Sequence, residues 1–109
     1  MIQPQALFKD NLALLPPVGD VARITLLDPA GAEAGVIENA PGKQGSLAVY
    51  AYLAQAFGTL DAQAAAHGVA LFAEHGPDAK ARPGAHPNID RLFAIIDGAA
   101  PLQIVVTRS

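Results

Sequence analysis

Glu38-Asn39-Ala40-Pro41-Gly42-Lys43-Gln44-Gly45-Ser46 divides the chain into two unlike halves. A proline and two glycines in nine residues are turn chemistry. Directly after them, Leu47 to Phe57 runs with almost no polar side chain. The half before the stretch reads as a short helix and a β-hairpin; the half after it reads as helices and one last strand. The order α-β-β-α-α-α-β predicts an α+β fold in a single domain, residues 1–109. The same stretch gathers the densest set of exposed donors in the chain: Lys43, Gln44, Ser46 and the backbone N–H groups beside Gly42 and Gly45. A small-ligand site is expected there first.

Upstream, residues 4 to 15 have helical spacing, with Ala6, Leu7, Asn11, Leu14 and Leu15 along one side, Phe8 and Leu12 beside them, and Lys9 and Asp10 turned away. Pro16-Pro17 ends this helix, since neither proline donates a hydrogen bond and each disfavours a helical predecessor. Val21 to Asp28 and Ala32 to Glu38 read as two antiparallel strands joined by the turn Asp28-Pro29-Ala30-Gly31. Alternation assigns Ile24 and Leu26 to the core face, and Val21, Arg23, Thr25 and Leu27 to the other.

Downstream, the run from Leu47 to Phe57 is apolar nearly all round, which predicts a buried helix closed by Gly58. Residues 61 to 75 form the next helix, with Thr59 or Asp61 as its cap and Leu60, Ala64, Gly68, Leu71 and Phe72 inward. Gly68 in mid-helix costs about 1 kcal/mol against Ala, and close helix–helix approach is the expected compensation. Gly76-Pro77 ends that helix, and residues 76 to 86 form a connection with one helical turn at 78 to 82. Pro87 opens a last helix with Ile89, Leu92, Phe93 and Ile96 inward and Gly98 at its end. Leu102 to Thr107 is a β-branched strand. Three helices of alternating direction bring this third strand back antiparallel to the first, so the expected sheet is small and antiparallel, in order 2-1-3, with the helices on one face.

Composition removes several classes of function. No run is long enough to span a bilayer, and no basic, cleavable leader is visible, so a cytoplasmic location is expected. The absence of cysteine removes disulfides, iron–sulfur clusters and thiol nucleophiles. A net charge of −3 with no Trp argues against nucleic acid as a partner.

Three arrangements bear on chemistry. The Gly42-Lys43-Gln44-Gly45-Ser46 loop resembles a phosphate cradle at a helix start, without P-loop spacing. Its competing reading is a plain connection with Ser46 as helix N-cap. The histidines do not have metal-ligand spacing: His67 and His75 lie about 12 Å apart along one predicted helix, and no HExxH pattern exists. No metal and no cofactor is expected. Finally, Glu74, His75, Asp78, Lys80, Arg82, His86, Asn88, Asp90 and Arg91 cluster polar groups in a short span. A His beside carboxylates suits acid–base chemistry, though helix starts are commonly polar for capping alone. His75 is expected near a helix C-terminus.

The segments Asn11-Leu12-Ala13-Leu14-Leu15-Pro16, Glu38-Asn39, Pro41 to Tyr50, Leu71-Phe72-Ala73-Glu74-His75 and His86 to Leu92 resemble an uncharacterised bacterial family, a domain of unknown function found mostly in proteobacteria. The resemblance covers nearly the whole chain and implies a small, stand-alone, cytoplasmic bacterial protein. It carries no activity or catalytic residues.

Three functions stand open from the residues. The first is a binding module holding a small anionic ligand or an acidic partner with Lys43, Gln44, Gly45 and Ser46, joined by His75 and His86 and with Lys80 or Arg82 nearby. The second is a small hydrolase or transferase using Ser46, His75 or His86 with Glu74 or Asp90. The third is a homodimer paired through the outer sheet face or the N-terminal helix.

Overall fold

The computed structural model describes residues 1–109. In chain order it holds α1 (Phe8–Leu14), β1 (Val21–Leu27), β2 (Glu33–Glu38), α2 (Gln44–Phe57), β3 (Thr59–Leu60), α3 (Ala62–Phe72), α4 (His75–Ala81), α5 (Pro87–Ile96) and β4 (Leu102–Arg108). The α+β class, the hairpin and the closing strand are as the sequence predicts.

The hairpin closes as its residues dictate. Asp28 Oδ1 accepts from the N–H of Ala30 and of Ala32, each at 2.9 Å. Gly31 takes φ 86° at the turn's end. Ile24 and Leu26 point inward with no exposed surface. Val21 is buried too, contrary to the alternation. The β1–β4 register shifts between Val21 and Arg23, so the strand is bulged there and its face switches.

The sheet has four strands in order β2-β1-β4-β3, all pairs antiparallel, and not three in order 2-1-3. The C-terminal strand does lie antiparallel to β1. The addition is β3. Gly58, at φ 79°, turns the chain at the end of α2 and lays Thr59 and Leu60 against Gln103 and Leu102. Two residues are too few to show any periodicity, so this strand has no signature in the sequence.

Val21, Ile24, Leu26, Ile37, Leu60, Leu102 and Ile104 are the buried sheet residues. On the opposite face Arg23, Glu38 and Gln103 are exposed, and Thr25, Val105 and Thr107 are half-buried. Leu47 to Tyr50 of α2 are all buried, as a helix without a polar face requires; α2 touches every strand as well as α1 and α3. α3 packs between α2 and α5 at Gly68, where a Cβ would stand 2.9 Å from Leu53 Cδ1 and 3.0 Å from Leu92 Cδ1. On α5 the inward residues are Ile89, Leu92 and Ile95, whereas Ile96 is exposed. α1 is shorter than its apolar pattern suggests and buries Asn11, whose amide donates to Leu71 O at 2.8 Å and whose Oδ1 accepts from Gln5 N–H.

No helix is long and apolar enough to cross a membrane.

Candidate functional site

The predicted helix over 61 to 75 does not run through. Had it continued past residue 77, the ring of Pro77 would strike the carbonyl of Ala73, four residues back. The chain breaks at that residue: Ala73 takes φ 53° and ψ −119°, a left-handed conformation uncommon outside glycine. α4 then begins at His75, with Pro77 in its first turn, where no N–H is needed. His75 is therefore at the start of a helix, not near the end of one, and does not share a helix with His67.

This break carries His75 to His86. The two imidazoles lie 5.7 Å apart, centre to centre. His86 sits at the N-cap position of α5, held by Pro87 at the first helical position. Its Nε2 is 2.6 Å from Asp78 Oδ2. Asp78 also accepts two hydrogen bonds from Arg82, to Oδ1 and Oδ2. The Arg82 guanidinium first, and then His86, hold the Asp78 carboxyl well below the usual carboxylate range. On its other side His75 meets the ring of Phe8 edge-on at 5.2 Å, and Phe8 stacks on Phe72 at 5.4 Å.

The Lys43 loop approaches the same place. Asn39 fastens its start, donating to Val18 O and Val21 O, and Gln44 Nε2 donates to Asn39 Oδ1 at 3.0 Å. Gln44 thus braces the loop. Lys43 N–H donates to Ala40 O at 3.0 Å. The next three amides, of Gln44, Gly45 and Ser46, have no acceptor within the chain. They form the positive end of a 14-residue helix. Ser46 is not the N-cap. The helix starts at Gln44, no side chain caps it, and the half-buried Ser46 hydroxyl makes no hydrogen bond within the chain.

Arg91 completes the group. Its Nη1 donates to Asn88 Oδ1 at 2.9 Å and to Tyr50 Oη at 3.2 Å. Tyr50 Oη donates in turn to Asn88 O, and burial pushes the Tyr50 hydroxyl up to about 12 despite the neighbouring guanidinium. The guanidinium lies over Gly35 of β2: a Cβ there would be 2.8 Å from Arg91 Nη2. Nη2 and Nε of Arg91 have no protein acceptor, and neither Arg91 nor Lys43 has a carboxylate partner.

These parts enclose an open cleft of about 700 Å³. Lys43, Gln44, Gly45, Ser46, His75 and His86, the residues singled out in the sequence, all line it, together with Arg91, Phe8, Leu12, Phe72 and Ile89. The size is that of a small-molecule pocket.

The expected carboxylates are engaged elsewhere. Glu74 Oε1 accepts from Phe8 N–H at 2.7 Å, which caps α1 from outside and holds the Glu74 carboxyl below its ordinary value. Asp90 Oδ2 accepts from Gly84 N–H. Lys80 lies over the Phe93 ring at 4.8 Å and does not reach the cleft. No three His, Asp or Glu side chains are grouped as a metal site needs.

Asp78 and Arg91 belong to the polar span that is legible from 74 to 91. Their distinct roles have no signal in the sequence, because Arg91 depends on a missing side chain at Gly35, far away along the chain. Phe8 reads as an ordinary core residue of an amphipathic helix.

No curated protein and no solved structure matches the chain. A family model described as "Uncharacterized protein conserved in bacteria (DUF2322)" matches residues 8–106, from the first residue of α1 into β4, and the chain belongs to that family.

Proposed function

We propose that this protein is a small binding module whose cleft holds an anionic small molecule. The observation that supports the reading is the convergence of Lys43 and Arg91, two cations without carboxylate partners, on one concave site with His75 and His86. The three unpaired amides of Gln44, Gly45 and Ser46 add donors of the kind anions take at helix starts. The free donors of Arg91 offer a planar fork, and exposed Lys43 a mobile charge at the rim.

Titration with inorganic phosphate and with acetate, followed by amide shifts in nuclear magnetic resonance, tests this. Saturable shifts at residues 44 to 46, weakened in Lys43→Ala and Arg91→Ala, support it. Shifts absent with both anions, or unchanged in both variants, overturn it.

A second reading rests on His86 and Asp78. A carboxylate 2.6 Å from one imidazole nitrogen orients the ring and leaves Nδ1 for proton transfer, the geometry of a histidine base. Ser46 lines the same cleft and supplies a hydroxyl. On this reading the protein is a small hydrolase or transferase. Turnover of p-nitrophenyl acetate or p-nitrophenyl phosphate that is lost in His86→Ala and reduced in Asp78→Asn supports it; no turnover of either ester above that of the variants argues for binding alone.

A further inference from the structure

The cleft has two chemically different walls. Lys43, Ser46 and Arg91 are polar, whereas Phe8, Leu12 and Phe72 are apolar. Phe8 and Leu12 lie four residues apart on α1 and so share a face. Leu12 is 38% exposed, one of the few large apolar side chains left open to water. The Phe8 ring is seated against the start of α2, since a Cβ on Gly45 would meet its Cε2 and Cζ at 3.0 Å. An aromatic surface is thereby brought directly beside the free amides.

We infer that the ligand is a small carboxylate with an apolar tail, its head at Lys43 and Arg91 and its tail along Phe8 and Leu12; this rests on the anion-binding reading above. The permanent cations of the cleft without carboxylate partners, Lys43 and Arg91, supply the counter-charge for a carboxylate head. The whole chain is net negative, at −3, which disfavours a multiply charged ligand. The tail is what would remove Leu12 and the Phe8 ring from water.

The test compares acetate, hexanoate, phenylacetate, phenyl phosphate and neutral hexanol by calorimetry and by amide shifts. Burying apolar carbons tightens binding roughly tenfold for every two methylenes, so hexanoate and phenylacetate are expected at least tenfold tighter than acetate. Leu12→Ala, at an exposed position outside the core, is expected to shrink that advantage. Equal affinity for acetate and hexanoate overturns the tail while the anion reading stands. Hexanol binding as well as hexanoate, or phenyl phosphate binding more than tenfold tighter than phenylacetate, overturns the carboxylate head. Binding of none of the five, together with no binding of inorganic phosphate, removes the anion reading itself.

Discussion

His75 and His86 face one another at 5.7 Å across the break between α3 and the two helices after it. Their meeting depends on Ala73. That residue holds φ 53° so that α4 can leave α3 at a new angle, and a non-glycine residue in such a conformation carries on the order of 1–3 kcal/mol of strain.

Ala73→Gly is therefore expected to stabilise the fold by about 1 kcal/mol, the relief of strain exceeding glycine's larger entropy in the unfolded chain. Urea denaturation reads this directly. Pro77→Ala removes the ring that enforces the break and is expected to favour one continuous helix, withdrawing His75 from the cleft. Loss of the through-space contact between His75 and Phe8 protons would report it. A variant with that contact intact would show that something other than Pro77 sets the break.

Gly35 keeps room for Arg91. A Cβ at this position meets only the far end of a flexible side chain, so Gly35→Ala is expected to displace the guanidinium and leave the strand in place. Stability should fall by less than ~1 kcal/mol, the scale of one hydrogen bond lost from Tyr50 Oη. Affinity for phosphate or acetate should fall roughly tenfold, as removal of one charge-assisted contact implies. Unchanged affinity, measured by calorimetry, would remove Arg91 from the site.

The order of most elements is legible because each is announced by local chemistry. Asp28-Pro29-Ala30-Gly31 makes a turn, Pro87 starts a helix, and Leu47 to Tyr50 have nowhere to go but inside. Gly42 to Ser46, His75 and His86 are legible as candidates for the same reason, being polar groups at chain turns. What escapes depends on pairs distant in sequence. β3 exists only because β4 returns alongside it. Arg91 faces the cleft only because Gly35 has no side chain. Pro77 is legible as a stop for the helix before it, but a proline fits the first turn of a new helix equally well, and the sequence reading shortens α4 to a single turn for that reason.

Gly68 reads as a point of close helix approach, and the packing of Leu53 and Leu92 against it gives the expected size of the effect. Gly68→Ala gains about 1 kcal/mol of helix propensity. It also forces a methyl to within 2.9 Å of Leu53 Cδ1 and 3.0 Å of Leu92 Cδ1 in a fully packed core, where overpacking costs roughly 1–3 kcal/mol. A net destabilisation of about 1 kcal/mol is expected in urea denaturation. A stabilised variant would mean that the two leucines yield freely and that the glycine is not required by packing.

His67 sets a pH dependence of its own. Burial removes water from its imidazolium, and the N-terminal ammonium repels it, so both lower its basicity in the fold. The neutral ring fits its surroundings: Tyr52 Oη, which already accepts from Ile2 N–H, lies 3.0 Å from His67 Nε2 and can donate to it. An unfolded chain takes up the proton at the ordinary histidine value of about 6.5, while the folded chain takes it up only at lower pH. Between those two values the unfolded state binds more protons, and stability falls as the pH falls. The full contribution of the neutral ring is thus present above about pH 7, declines on acidification, and levels off once the pH is below the folded value. The urea midpoint is expected to drop between about pH 7 and pH 5 by more in the parent protein than in His67→Gln, which has no ring to protonate. Acetylation of the N-terminus removes the repelling charge and is expected to reduce the drop. Identical pH profiles for the parent protein and His67→Gln would show that the ring carries no such linkage.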